Sequence, residues 1–288
     1  MKKLFIKTVI LLLATCGSAL AGAPFSEVIP YYGSEFYQDL KAGVSDRNLS
    51  QRLKVILKCY HTPQDGAMDE VTPNCAGRGC YVHTAVGYEN ARLFLLGNFY
   101  LIRDGKGYGV KDVYCDRNHM SEDFVHGNAP APNTIPDNTI INVEHTWPQS
   151  RFTGQYRKEL QKSDLHHLFP TDSQMNAIRG NNWFGEVVQD TKNLKCKNVR
   201  FGRASEGRQD VFEPPPEHRG NVARALFYFS IRYDLAIDPV QEVYLRKWNH
   251  EDPVDAEELE RNEKIAALQG NRNPFVDYPE LADKISDF

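Results

Sequence analysis

Three short stretches carry residues suited to acid–base and metal chemistry: Glu144-His145 in "NVEHTWPQSRF", Asp164-Leu165-His166-His167 in "SDLHHLFP", and Asn176 in "TDSQMNAIRGNNWF". An imidazole titrates near neutrality and suits a general base. A carboxylate and an amide oxygen suit a hard cation such as Mg²⁺, which favours oxygen ligands and keeps several waters. Neighbours on a strand point to opposite faces. At a strand end that divergence becomes useful: one residue holds a metal while the other holds a water. The set spells a one-metal, one-base hydrolytic site.

The elements that position it are legible in outline. Residues 139–145, "TIINVEH", read as a strand, "SDLHHLFP" as a second strand, and "TDSQMNAIRGNNWF" as a helix capped by Thr171 or Asp172. Residues 34–58 predict two helical pieces, with Leu53, Ile56 and Leu57 on one face. Residues 61–80 and 126–138 are loops rich in Pro, Gly, Asp and Asn. "YENARLFLLGNFYLI" predicts a helix running into a strand, and "GKGYGVKDVYC" a strand or hairpin. Residues 190–216 are basic and irregular. "NVARALFYFSIRYDLA" reads as an apolar core helix, and "DAEELERNEKIAALQGN" as a charged helix closed by Gly270.

Composition adds context. The 288 residues carry a formal charge of -4. "MKKLFIKTVILLLATCGSALAGAP" has a basic start, a short apolar run and small residues, the pattern of a secretory signal peptide over residues 1–21, with Ala19-Leu20-Ala21 before the cut. A lipoprotein signal ending at Cys16 is the second reading. Without the leader the charge is about -7. Five cysteines remain: Cys59, Cys75, Cys80, Cys115 and Cys196. In an exported chain they predict disulfides with one thiol left over, and no C-x-x-C pair favours zinc. From Thr146 to Arg208 there are 11 Lys and Arg against 6 Asp and Glu; from Asp210 onward there are 9 against 17. A basic middle in an acidic protein suggests a polyanion-binding surface. No apolar stretch is long enough to span a bilayer as a helix.

"EHTWPQS" followed by "DLHHLFPTDSQMNAIRGNNWF" resembles the bacterial endonuclease I family, exported non-specific nucleases of the ββα-metal (His-Me finger) superfamily. Weaker similarity covers the chain from "PYYGSEFYQDLKAG" to about residue 235. The resemblance implies an α+β fold: a ββα-metal core at about 139–184, wrapped by helices within one nuclease domain over 22–288. It implies His145 as the base that activates water, and Glu144 and Asn176 as ligands of Mg²⁺, with Mn²⁺ or Ca²⁺ as substitutes. Asp164, His166 and His167 fall in supporting roles. The family more often has Asn where His167 stands, and His167 is a candidate phosphate donor. Arg179 is a candidate phosphate clamp. The implied activity is endonucleolytic hydrolysis of DNA and RNA to 5′-phosphate ends, by a periplasmic or secreted monomer without a membrane span.

Two rivals stand beside it. One is a non-catalytic exported nucleic-acid-binding protein. The other is a zinc hydrolase using His145, His166 and His167, which no H-E-x-x-H stretch supports. Trp147, Trp183 and Phe184 read as core. His61, His83, His119, His126, His218 and His250 sit in no motif.

Overall fold

The computed structural model describes residues 28–105, 107–205 and 209–288. The leader proposed for residues 1–21, with Cys16, lies outside them. Two helices come first, α1 (Gly33–Lys41) and α2 (Asp46–Lys58), with Leu53, Ile56 and Leu57 buried as their spacing predicts. The Pro- and Gly-rich stretch after them carries a small hairpin, β1 (Tyr60–Thr62) with β2 (Glu70–Thr72). Helix α3 (Tyr88–Phe94) continues as a π turn over Leu95–Phe99 and runs into β3 (Leu101–Asp104). Strands β4 (Gly107–Asp112) and β5 (Arg117–Met120) complete an antiparallel meander.

The central unit follows: β6 (Ile141–His145), the short α4 (Lys158–Lys162), β7 (Leu168–Asp172) and α5 (Ser173–Arg179). Strands β6 and β7 pair antiparallel from Ile141↔Asp172 to His145↔Leu168. Pro170 has no N–H and faces Val143, where this alternating ladder needs no bond from it. The Thr146 N–H to His167 carbonyl bond, 2.9 Å, falls on the bonded set. Asp172 caps α5, its Oδ1 accepting from the N–H groups of Gln174 and Met175. Such a cap is worth about 1 kcal/mol.

Beyond α5, β8 (Trp183–Phe184), β9 (Gln189–Asp190), β10 (Arg200–Arg203) and β11 (Asp210–Glu213) form a sheet in the order β8-β11-β10-β9. Four helices follow: α6 (Arg219–Tyr233), α7 (Pro239–Glu251), α8 (Ala256–Gln269) and α9 (Pro274–Asp277). Thirteen of the 15 residues of α6 are buried, so it is covered on every side. Its Ala225 belongs to the apolar cluster around β6, β7 and β4, while Val222, Leu226 and Phe229 belong to a second, larger cluster. The result is a mixed α+β fold with a ββα unit held between helices.

Three local expectations need correction. The DLHH run is not strand. Asp164 accepts from the His166 N–H, and Leu165–His167 form a 3-10 turn before β7 begins at Leu168. A local side-chain bond competes with the ladder there. Helix α5 stops at Gly180, whose φ of 55° ends it short of residue 184. Helix α7 was not anticipated, although Asp238 and Pro239 are ordinary start signals.

The cysteines form disulfides Cys75–Cys80 and Cys115–Cys196, leaving Cys59 free. The second bridge spans 81 residues and encloses the whole ββα unit. Among the described residues no helix is long and apolar enough to cross a membrane.

Candidate active site

The pleat of β6 sends Glu144 and His145 apart. Glu144 faces α5. Its Oε1 lies 2.7 Å from Arg179 Nη1 and accepts from the Tyr114 hydroxyl at 3.1 Å. The residue is 2% exposed. Burial pushes its carboxyl up to about 7, even against the pull of Arg179 and the Tyr114 bond.

His145 faces the other way, among the rings of Tyr88, Phe152 and His167. Its Nε2 lies 3.0 Å from the Lys162 carbonyl, which can only accept. The Nε2 therefore carries the proton, and Nδ1 carries the lone pair. The exposed Gln149 amide approaches Nδ1 at 3.4 Å, a long contact that a water can displace. Burial first, then the neighbouring His167, lowers the imidazole pKa to about 3. The ring is neutral, with one fixed N–H and one lone pair that can accept a proton, but the lowered pKa makes it a weaker base than the near-neutral imidazole that the sequence suggests.

Asn176 on α5 donates from Nδ2 to Asn142 Oδ1 at 2.7 Å. Asn142 shares the Glu144 face of β6 at the strand period of two. The structure thus gathers Asn142, Glu144, Asn176 and Arg179 on one side of β6, with His145 at the same strand end on the other. The sequence reading passed over Asn142, Tyr114, Gln149 and the Lys162 carbonyl. Only Asn142 carried a signal, its offset of two from Glu144.

Arg179 is not at the surface. It is 1% exposed, donates to the carbonyls of His145 (2.9 Å) and Thr146 (2.6 Å), and lies over the Phe184 ring. The candidate phosphate clamp of the sequence is thus held in the interior, bonded to Glu144 and to the end of β6.

The DLHH residues form a buried hub. Asp164 accepts from the hydroxyls of Tyr228 (2.7 Å) and Tyr233 (2.8 Å) on α6 and from Gln269 Nε2 (2.8 Å) at the end of α8. Burial alone would raise its pKa; the adjacent His83, His166 and His167 and the Gln269 bond outweigh it and hold the carboxyl well below its usual range. His166 Nε2 donates to the Asn271 carbonyl and His167 Nε2 to the Gln161 carbonyl. Arg261 of α8 binds the carbonyls of Leu165 and Leu168. The acidic C-terminal helix therefore braces the turn that precedes β7. His167 is fully buried, away from any phosphate in solvent.

Two groups offer ligands for a divalent ion. Glu144 with the asparagines supplies hard oxygens, and the raised carboxyl pKa marks a site where added positive charge is stabilising. Separately, Asp112, His119 and Asp172 place one ligand atom each within 4.8 Å of the others, and all three are buried. That set stands at the far end of the β6–β7 hairpin, four pairs from His145, about 13 Å by strand rise. Lys195 Nζ already lies 2.6 Å from Asp172 there.

A hairpin followed by a capped helix, with a neutral histidine at the hairpin end and oxygen ligands beside it, defines a ββα-metal type of site. The chain belongs to the Endonuclease I family, whose model matches residues 81–280 and so includes α8 and α9, beyond the limit near residue 235 read from the sequence. The extracellular ribonuclease of Bacillus amyloliquefaciens is 37% identical over 163 residues, 50% of this chain and 53% of that protein. An extracellular ribonuclease of Bacillus subtilis (strain 168) matches to the same extent. An extracellular deoxyribonuclease of Aeromonas hydrophila is 32% identical over 156 residues, 48% of this chain and 65% of that protein. The chain spans about half the length of the ribonucleases it matches.

The buried histidines predict acid lability. Burial is the largest cause in each, lowering His83 and His167 to about 4 and His145, His166 and His218 to about 3. In the unfolded chain a histidine titrates near ~6.5. Between that pH and ~4 the unfolded state binds protons that the fold refuses, so stability falls as pH falls. Each histidine contributes up to about 1.4 kcal/mol per pH unit. Urea midpoints should be level above pH 7 and drop steeply below 6.5; equal midpoints at pH 7.5 and 5 contradict the neutral assignment.

Proposed function

We propose that this chain is an exported, divalent-metal-dependent endonuclease that hydrolyses phosphodiester bonds of DNA and RNA with little sequence preference. The observation that carries the reading is the imidazole of His145: Nε2–H tied to the Lys162 carbonyl, Nδ1 left with its lone pair, at the end of the hairpin. His145 Nδ1 takes a proton from the attacking water as general base. Glu144 and Asn176 hold the ion, with Asn142 beside them, and Arg179 fixes the strand end from inside. When bound, the ion supplies Lewis-acid stabilisation of charge on the phosphate and the departing oxygen. Because the nucleophile is water, no ribose 2′-OH is needed; with the 3′-oxygen as the leaving group, as the family resemblance implies, the P–O3′ bond breaks and the cut leaves 5′-phosphate and 3′-OH ends.

The relatives' names, extracellular ribonuclease and extracellular or periplasmic deoxyribonuclease, support both substrates and a location outside the cytoplasm. Arg157, Lys158, Lys192, Lys197 and Arg203 are exposed and are candidates for phosphate contacts. Phosphate contacts position a protein without reading sequence, and salt weakens them. We take the protein to act as a monomer, with Mg²⁺ as the ion and Mn²⁺ or Ca²⁺ as substitutes.

Plasmid and single-stranded RNA incubated with Mg²⁺ should both be cut, EDTA should stop the cutting, and added salt should slow it. End-labelling should find 5′-phosphates. Cyclic 2′,3′-phosphate ends, or intact DNA beside cleaved RNA, would replace the mechanism with one that uses the 2′-OH. Binding without cleavage in any metal would favour the nucleic-acid-binding rival. Glu144→Gln should weaken Mg²⁺ binding by calorimetry and slow cleavage, whereas a loss of both with Asp112→Asn alone would move the catalytic ion to the far end of the hairpin.

A further inference from the structure

The two carboxylate oxygens of Glu144 have unlike surroundings. Oε1 accepts from the Tyr114 hydroxyl at 3.1 Å and lies 2.7 Å from Arg179 Nη1. Among the described residues no hydrogen bond reaches Oε2, and Oε2 is not one of the sealed, unpartnered atoms of the interior. One oxygen is thus anchored by two donors while the other is left open. Tyr114 is itself held firmly. The residue is fully buried. Its ring packs on Phe212, with centroids 4.8 Å apart, and meets His218 edge-on at 6.0 Å. Its N–H donates to Asp112 Oδ1 at 2.9 Å. On one side of it the Val113 N–H donates to the Pro170 carbonyl of β7, and on the other Cys115 is bridged to Cys196. The hydroxyl is therefore a fixed donor, carried on a turn that is fastened at three points.

We propose that Tyr114 is a positioning residue for the divalent ion: with Arg179 it holds Glu144 by Oε1, so that Oε2 is the oxygen offered to the ion. This deepens the nuclease reading and rests on it for the presence of the ion. A glutamate side chain has several rotors. An ion that must fix them binds less tightly than one that meets a carboxylate already fixed. Groups that hydrogen-bond to a metal ligand orient it in this way, and their loss typically costs about 10–100-fold in metal affinity or activity. A hydroxyl suits the task beside Arg179. It donates one hydrogen bond and adds no charge, so it orients the carboxylate without setting a second cation against the ion. Tyr114 holds the ligand and not the ion, since its one proton is already spent on Oε1.

The test is Tyr114→Phe, which removes the hydroxyl and keeps the ring. Calorimetry with MgCl₂ and no nucleic acid is run at about pH 9, where the Glu144 carboxyl, raised to about 7, is ionised. Mg²⁺ binding should weaken by about tenfold. In cleavage assays KM for plasmid should stay within about twofold, and the fall in kcat at limiting Mg²⁺ should be recovered by raising Mg²⁺ about tenfold. A packing role alone would lower the urea midpoint in EDTA and leave the Mg²⁺ titration where it was, and that outcome overturns the proposal. Added to Glu144→Gln, Tyr114→Phe should change cleavage by less than a further twofold or so, roughly the limit for a group that acts only through that carboxylate. An undiminished loss in the double variant would place the action of the hydroxyl elsewhere and also overturn the proposal. Tyr114→Met lacks the hydroxyl and fills the space with an unbranched chain. It is the second variant should Tyr114→Phe fold poorly, with the same loss of Mg²⁺ affinity expected. Cleavage that persists with Mg²⁺ affinity unchanged or tightened in Tyr114→Phe ends the positioning role and leaves the nuclease reading standing. Mg²⁺ binding that Tyr114→Phe and Glu144→Gln both weaken, in a wild-type protein that cuts neither DNA nor RNA, sinks the nuclease reading alone.

Discussion

His145→Ala should lower turnover by about 10²–10⁴-fold, the usual worth of general-base assistance. The fold should survive, because the side chain contributes one hydrogen bond to the Lys162 carbonyl and ring contacts at the end of β6. Binding of nucleic acid should also survive, since no basic residue is altered. A second readout separates a base from a packing group. With a pKa lowered to about 3, His145 stays neutral through the physiological range. The kcat/KM profile, which reports the free enzyme, should then lack an acid limb near pH 6.5 from this residue. Gln149→Ala provides a control, because it removes the amide at 3.4 Å from Nδ1 and leaves the Lys162 bond in place. It should retain most activity. A His145→Ala protein that still cuts plasmid at near wild-type rate takes His145 out of the reaction.

How much of this was legible beforehand depends on the range of the forces involved. A strand ending at His145, a helix cap at Thr171 or Asp172, the Gly270 stop and an apolar helix over 221–236 follow from period and local bonding; the structure starts the strand at Ile141, chooses Asp172 as the cap and sets the helix at Arg219–Tyr233. The DLHH run misled because its apolar and aromatic residues mimic a strand, while Asp164 bends the backbone into a turn through a bond to the His166 N–H. The reason for an Asp there is long-range. Tyr228, Tyr233 and Gln269 lie 64, 69 and 105 residues away and meet at one carboxylate. No window of local pattern shows that. The asparagine facing Asn176 was within reach, since Asn142 and Glu144 share a face by strand period. The bridge from Cys115 to Cys196 was not, because cysteine counting limits the pairings without choosing among them.

The fate of Arg179 is the sharpest case. Its sequence context, a lone arginine in a Gly- and Asn-rich turn, suits a phosphate contact, yet its guanidinium is spent on Glu144 and on two carbonyls of the β6 end. Arg179→Met should therefore destabilise the fold by about 3–5 kcal/mol, as removing one partner of a buried ion pair does. Urea denaturation in EDTA measures this without interference from metal. The loss should depend on pH in a defined direction. In the wild type burial already holds the Glu144 carboxyl up at about 7 against an ordinary value of 4.5. Between those two values the unfolded chain has released the proton and the folded one retains it, so this group's contribution to stability falls as pH rises. Without the guanidinium the folded carboxyl is raised further, and the window extends above 7. The gap between variant and wild type should then widen from pH 6 to pH 8. Adding Glu144→Gln to Arg179→Met should remove the pH dependence and recover part of the stability, because no buried carboxylate is left to ionise. A surface phosphate clamp behaves otherwise: its loss raises KM, flattens the salt dependence and leaves the urea midpoint unmoved. Unchanged stability in Arg179→Met would return the residue to that role.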